Sequence, residues 1–154
     1  MKNISKKIIE AWISGFRKED VAELTALFSK DATFNDPRYP LLKSKQTIEA
    51  YYNHLLSETT AWGATMFEGP YLHGKDCFAI HSRLKFTWRE NNVIVDWPFV
   101  AFFKVRLSDN KVIRYDEYWD TEDTLKQIGI KTWGPLPDFV NLDNKYEANS
   151  RGTL

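Results

Sequence analysis

The spacing of apolar residues changes period partway along the chain, and that change restricts the fold more than any other feature. Before residue 62 apolar side chains recur at three- and four-residue intervals. Ile4, Ile8, Ile9, Trp12, Ile13 and Phe16 define an amphipathic helix over residues 3–17. A second helix starts near Lys18, with Glu19 and Asp20 in its first turn, where acids complement the positive helix end; it buries Val21, Leu24, Leu27 and Phe28. Residues 32–34 form a short strand, and Pro37 and Pro40 enforce a loop after it. Ser44 opens a third helix, in which Ile48, Tyr51, Tyr52 and Leu55 share a face.

From residue 62 onward the period is two. Phe78, Ile80, Leu84, Phe86 and Trp88 alternate with Ala79, His81, Arg83, Lys85 and Arg89, which reads as a long strand with one apolar face. Asn91-Asn92 supplies a hairpin turn. Residues 93–107 are almost continuously apolar, as expected of a central strand covered on both faces. Residues 108–110 turn again, and residues 111–119 close the sheet. Helices first and an antiparallel meander second is an α+β pattern. A strongly curved sheet wrapped over a long helix leaves a cavity between them.

The other bulk properties exclude several classes of function. Lys+Arg and Asp+Glu both number 21, so there is no basic excess for nucleic acid. No window approaches ~18 uncharged apolar residues, so no membrane span is expected. The N-terminal lysines and apolar residues resemble the start of a signal peptide, but Glu10 interrupts them and an amphipathic helix accounts for them better. One cysteine, Cys77, fits a reducing, cytoplasmic setting. His54, His73 and His81 lack the short spacings of metal sites, and no cofactor is called for. Aromatic residues make up 15% of the chain, which suits a cavity with rigid walls for a small hydrophobic molecule.

Residues 120–130 read as a short helix capped by Asp120 or Thr121. The chain therefore divides into a domain over residues 1–130 and a tail over residues 131–154. The tail is polar, and Pro135 and Pro137 break it. Its aromatic section, residues 133–139, is expected to fold back as a lid or partner contact, and its last ten residues to be loose.

Three local patterns resemble the nuclear transport factor 2-like superfamily, in its SnoaL-like and ketosteroid-isomerase-like branch. They are ALFSKDATFNDP at residues 26–37, TIEAYY at residues 47–52, and KVIRYDEYWD at residues 111–120 followed by LKQIG. The resemblance implies a cone-shaped fold, with a curved antiparallel sheet packed on three N-terminal helices, and commonly a homodimer through the outer sheet face. It also implies that Asp36 of Asp36-Pro37 stands at the family's catalytic base. Trp12 falls at the tyrosine of the ketosteroid isomerase oxyanion hole, Tyr52 at a supporting tyrosine, and Ala101 near the protonated aspartic acid. Trp12 retains an N–H without a phenol and Ala101 has no carboxyl, so the isomerase's own mechanism is not reproduced. Against the epoxide hydrolases, Arg83 matches an arginine, Lys85 replaces an aspartate, and Glu117 sits at the final carboxylate.

Each candidate has a structural explanation beside its functional one. Asp36 suits a general base at the mouth of an apolar cavity, while Asn-Asp-Pro is also ordinary turn chemistry. Glu117 shares alternate positions with Ile113, Tyr115 and Trp119; if that face is outside, Asp116 and Tyr118 take the inner one. Asp96 is expected to pair with Arg83 or Lys85. Trp12, Phe16, Tyr39, Tyr51, Tyr52, Trp97, Ala101, Tyr115 and Trp119 are the candidate cavity wall, although aromatics at helical spacing also build plain cores. Three functions fit: an isomerase, cyclase or lyase using Asp36 and Glu117 without a cofactor, a carrier of a hydrophobic molecule, or a dimeric interaction module.

Overall fold

The helical stretch at the start of the chain becomes α1 (Lys2–Lys18), which buries Ile8, Ile9, Trp12 and Phe16. The structure, a computed structural model, describes residues 1–141. Glu19 ends α1 in the left-handed region at φ 53°, and Asp20 then caps α2 (Val21–Thr25), accepting the Glu23 N–H at 2.9 Å. The two helices close tightly at Gly15, where a Cβ would stand 2.7 Å from Leu24 Cγ.

The second helix is shorter than its periodicity predicts. Phe28, expected on its buried face, instead begins β1 (Phe28–Asn35). Pairing decides this: Phe28 lies in parallel register with Val112, and the Val112 N–H donates to Leu27 O at 2.9 Å. That long-range ladder outcompetes a local helical preference worth a few tenths of a kcal/mol per residue, roughly. The proline loop contains β2 (Leu42–Lys43), paired with β1. Ser44 caps α3 (Lys45–Glu58), accepting the Thr47 N–H at 3.2 Å.

Four long strands follow: β3 (Thr59–His73), β4 (Cys77–Trp88), β5 (Val93–Arg106) and β6 (Lys111–Trp119). The sheet order is β2-β1-β6-β5-β4-β3, and the β1–β6 pair is parallel while the others are antiparallel. Three register shifts in the β3–β4 pair bend this part of the sheet, as bulges do. α1 packs against β3 and α3 against β1, so both lie on the inner face. Val95, Trp97, Phe99, Ala101, Phe103 and Val105 of β5 all point into that core.

β5 departs from its expected burial. Its outer face is open in the single chain, with Ile94 68% and Phe102 48% exposed. Arg83 and Asp96 meet on this face at 2.9 Å. On β6 the inward residue is Val112 rather than Ile113, because the β5–β6 register shifts between Lys104 and Val105. α4 (Thr121–Ile128), capped by Asp120 and ended by Gly129 at φ 79°, docks where β6 stops. The Gln127 amide there accepts the Asp96 N–H at 2.7 Å and donates to Asp96 O at 2.8 Å, continuing the ladder with a side chain.

Residues 131–141 contain one 3-10 turn, Asp138–Asn141. Trp133, Phe139 and Val140 pack onto the core that residues 1–130 build. The last ten residues, expected to be loose, lie outside the described residues. Among the described residues no helix is long and apolar enough to cross a membrane.

Candidate acid–base site

The parallel pairing of β1 with β6 brings two carboxyl groups together. Phe34 pairs with Tyr115 and Asn35 with Asp116, so the next positions, Asp36 and Glu117, emerge side by side toward the interior. Both are 2% exposed. Pro37 ends the strand, and Asp36 Oδ1 accepts the Arg38 N–H at 2.7 Å in a tight turn. Its other oxygen, Oδ2, accepts the Tyr51 hydroxyl of α3 at 3.0 Å. That hydroxyl also lies 3.4 Å from Glu117 Oε1, while the Tyr115 hydroxyl donates to Glu117 Oε2 at 2.6 Å.

Burial acts strongly on the Glu117 carboxyl. Burial pushes the Glu117 carboxyl well above its usual range, and the charge of Asp36 and a hydrogen bond to it push further the same way. The hydrogen bonds from Tyr115 and Tyr51 oppose this without reversing it. The surroundings of Glu117 thus favour its protonated form, while Asp36 accepts one N–H and one O–H hydrogen bond. Burial first, and the two acids second, hold the Tyr51 phenol far above its usual value, so it remains a donor. Tyr115 is raised in the same way by burial and Glu117.

A cavity is bordered by Asp36, Tyr39, Tyr51, Trp97 and Trp119, while Glu117 stands behind Asp36 and Tyr51 rather than on its wall; the volume of this cavity is about 30 Å³. That is the space of one water molecule, roughly, and far below the ~300–1,000 Å³ of ligand sites. The roomy cone expected from the aromatic content is filled in this conformation, because aromatic rings interlock across it. A larger cavity, about 690 Å³, lies away from the acids on the outer sheet face, beside Tyr71, Phe102, Lys104 and Arg114.

Trp12 and Phe16 border a separate gap of about 10 Å³ beside Trp62 and Leu84. Tyr52, Ala101 and Tyr115 are fully buried and do not border the acid-side cavity. Ala101 pairs with Glu117 across the β5–β6 ladder, and Tyr115 serves the site through its bond to Glu117. The Trp12 N–H and the Tyr52 hydroxyl are buried and turned toward each other, away from the two carboxyls. The hydroxyls that do reach the acids are those of Tyr51 and Tyr115.

Sequence reasoning missed Arg38. It borders the cavity, pairs with Glu58 at 3.0 Å, and lies 4.3 Å from the ring centre of Trp133 and 5.1 Å from that of Tyr39. Its position two residues after Asp36, between two aromatic-rich segments, was the available signal. His54 stands 3.4 Å from the same Glu58, and burial lowers its pKa, leaving it neutral near pH 7.

An unclosed, bent six-stranded sheet over N-terminal helices is the architecture of the nuclear transport factor 2-like, ketosteroid-isomerase-like fold. Residues 9–115 match the SnoaL-like domain, and the chain belongs to that family. It is similar to a protein of ketosteroid isomerase-like fold from Catenulispora acidiphila, solved with trimethylamine, at 16% identity and a TM-score of 0.70. That likeness covers 83% of this chain and 97% of the other. A candidate polyketide cyclase from Xanthomonas campestris is 12% identical, with 82% and 97% covered and a TM-score of 0.71. A candidate isomerase from Bacillus subtilis is 15% identical, with 86% and 97% covered and a TM-score of 0.72. At such identities the likeness carries the fold alone. No curated protein matches the chain.

Proposed function

We propose that the chain is an acid–base enzyme of the isomerase, cyclase or lyase kind, acting on a small apolar ring-containing substrate without a cofactor. The observation that carries this reading is the buried cluster of Asp36, Tyr51, Glu117 and Tyr115. Asp36 takes a proton from the carbon next to a substrate carbonyl. The electrons left on that carbon move into the carbonyl, and the developing oxyanion accepts hydrogen bonds from protonated Glu117 or the Tyr51 hydroxyl. Asp36-H then returns the proton to the same carbon or, along a conjugated system, to another. The names of the Xanthomonas and Bacillus neighbours are compatible with such chemistry.

Isotope exchange tests the reading directly. Cyclic ketones and lactones incubated in D2O with the protein should gain deuterium beside the carbonyl, as followed by proton NMR. Asp36→Asn should slow this by ~10²-fold or more. Equal exchange with and without protein would sink the reading.

A carrier of a hydrophobic molecule is the second reading, favoured by the fact that both acids already have hydrogen-bond partners. In either case we propose that two chains associate through the outer sheet face, where Ile94, Phe102 and Tyr118 are exposed.

A further inference from the structure

The acid pair is closed off in this conformation, and the segment that closes it is distinct from the rest of the domain. Trp133 meets Trp119 edge-on at 6.0 Å, and Phe139 packs against Tyr39 at 5.5 Å, His54 at 5.7 Å and Tyr51 at 6.4 Å. Among the described residues no backbone hydrogen bond ties residues 131–136 to the sheet, and the turn bond from Val140 N–H to Pro137 O is internal to the segment. Side-chain packing holds it. Breaking such contacts leaves no ladder unpaired, so the segment can part from the sheet without unfolding it.

The space under this segment is also unfinished in its hydrogen bonding. The Trp88, Trp119 and Trp133 side chains all border the acid-side cavity, and their indole N–H groups are buried without partners. Buried donors are normally satisfied, so three of them around one cavity point to acceptors that arrive with a ligand. Arg38 is the one Lys or Arg side chain that borders this cavity among the described residues. Its bond from Nη1 to Glu58 uses part of a five-donor fork, while Trp133 and Tyr39 leave its side chain 10% exposed. The match to the SnoaL-like family ends at residue 115, and the three structural neighbours leave 14–18% of this chain uncovered.

We propose that residues 131–141 form a displaceable wall of the acid–base site. Trp133 and Phe139 fill the substrate space when it is closed; when they lift, Arg38 becomes free to hold the carboxylate of a ring-bearing substrate. The inference rests on the acid–base reading for the identity of the site, but its test does not require turnover.

The probes are 2-naphthoate and its neutral methyl ester, with binding to the full chain followed by calorimetry. The Trp133→Ala/Phe139→Ala double variant should bind both at least about tenfold more tightly than the wild type. Adding Arg38→Gln should remove most of the gain for the carboxylate and little of the gain for the ester. A folded double variant that binds neither probe better would overturn the displaceable wall. A carboxylate gain that survives Arg38→Gln would overturn the role of Arg38. Should the double variant fail to fold, hydrogen exchange on the wild type decides: residues 131–141 should exchange at least about a hundredfold faster than residues 95–105, and exchange of both only through global unfolding would refute the wall. Asp36→Asn separates the two ideas, since loss of isotope exchange with probe binding retained belongs to the chemistry alone.

Discussion

The Tyr115 hydroxyl donates to Glu117 Oε2 across 2.6 Å, from two residues earlier on the same strand. Both side chains therefore face the interior, and the phenol supports one of the two acids from below. Tyr115→Phe should leave the fold intact and destabilise it by about 1 kcal/mol, the usual net value of such a bond. Chemical denaturation would measure this; a loss below a few tenths would show that the bond contributes nothing.

Glu117 makes stability depend on pH in a definite direction. Its folded-state pKa lies well above the ordinary carboxyl value of 4.5. The folded chain therefore keeps a proton that the unfolded chain has released, and the contribution is complete below that ordinary value. It is lost as pH rises toward the folded-state value, by at most about 1.4 kcal/mol per pH unit. Glu117→Gln removes this loss, so its melting temperature relative to the wild type should climb between pH 5 and pH 8. A difference independent of pH would contradict the buried, protonated acid.

Gly15 tests the tight approach of α1 and α2. A methyl group there would press on Leu24 Cγ and Cδ2 at 2.7 and 2.9 Å. Although alanine favours helix by roughly 1 kcal/mol, the clash should win, and Gly15→Ala should destabilise by about 1–2 kcal/mol net. Thermal unfolding would show a gain instead if Leu24 can swing aside freely.

The bidentate contact of Gln127 with the Asp96 backbone is the dock for α4. Gln127→Leu should leave both backbone groups short of a partner and cost about 1–3 kcal/mol. Amide exchange at Asp96 should rise with it.

Association through the outer face has a direct test in solution. Phe102→Glu together with Ile94→Glu should convert a dimer to a monomer by light scattering, with an unchanged circular dichroism spectrum. A wild-type monomer at tens of micromolar would exclude the interface.

Much of the architecture was readable in the chain because it is local. Period 3.6 before residue 62 and period 2 afterwards specified α1, α3 and the strand β4, and strict alternation along β4 told which of its side chains enter the core. Asp36 could be named as a candidate acid because Asp36-Pro37 stands at the family's base position, and Glu117 because it alternates with Tyr115 and Trp119. Phe28 could not be placed, because its strand exists through pairing with β6, a contact invisible to any short window.

The sequence by itself determined the α+β class, the sidedness of β4 and the presence of acids among aromatics, since these follow from backbone periodicity and side-chain chemistry. Tertiary structure alone decided that Asp36 and Glu117 stand together, because only the parallel β1–β6 register joins them. It also chose Tyr51 over the adjacent Tyr52 as the bridge between the acids: both are buried on α3, but the Tyr51 hydroxyl meets the carboxyls while the Tyr52 hydroxyl faces the Trp12 side chain. The packing of Trp133 on Trp119 and of Phe139 on Tyr39 is of the same kind, a meeting of segments distant in the chain whose free energy no local pattern encodes.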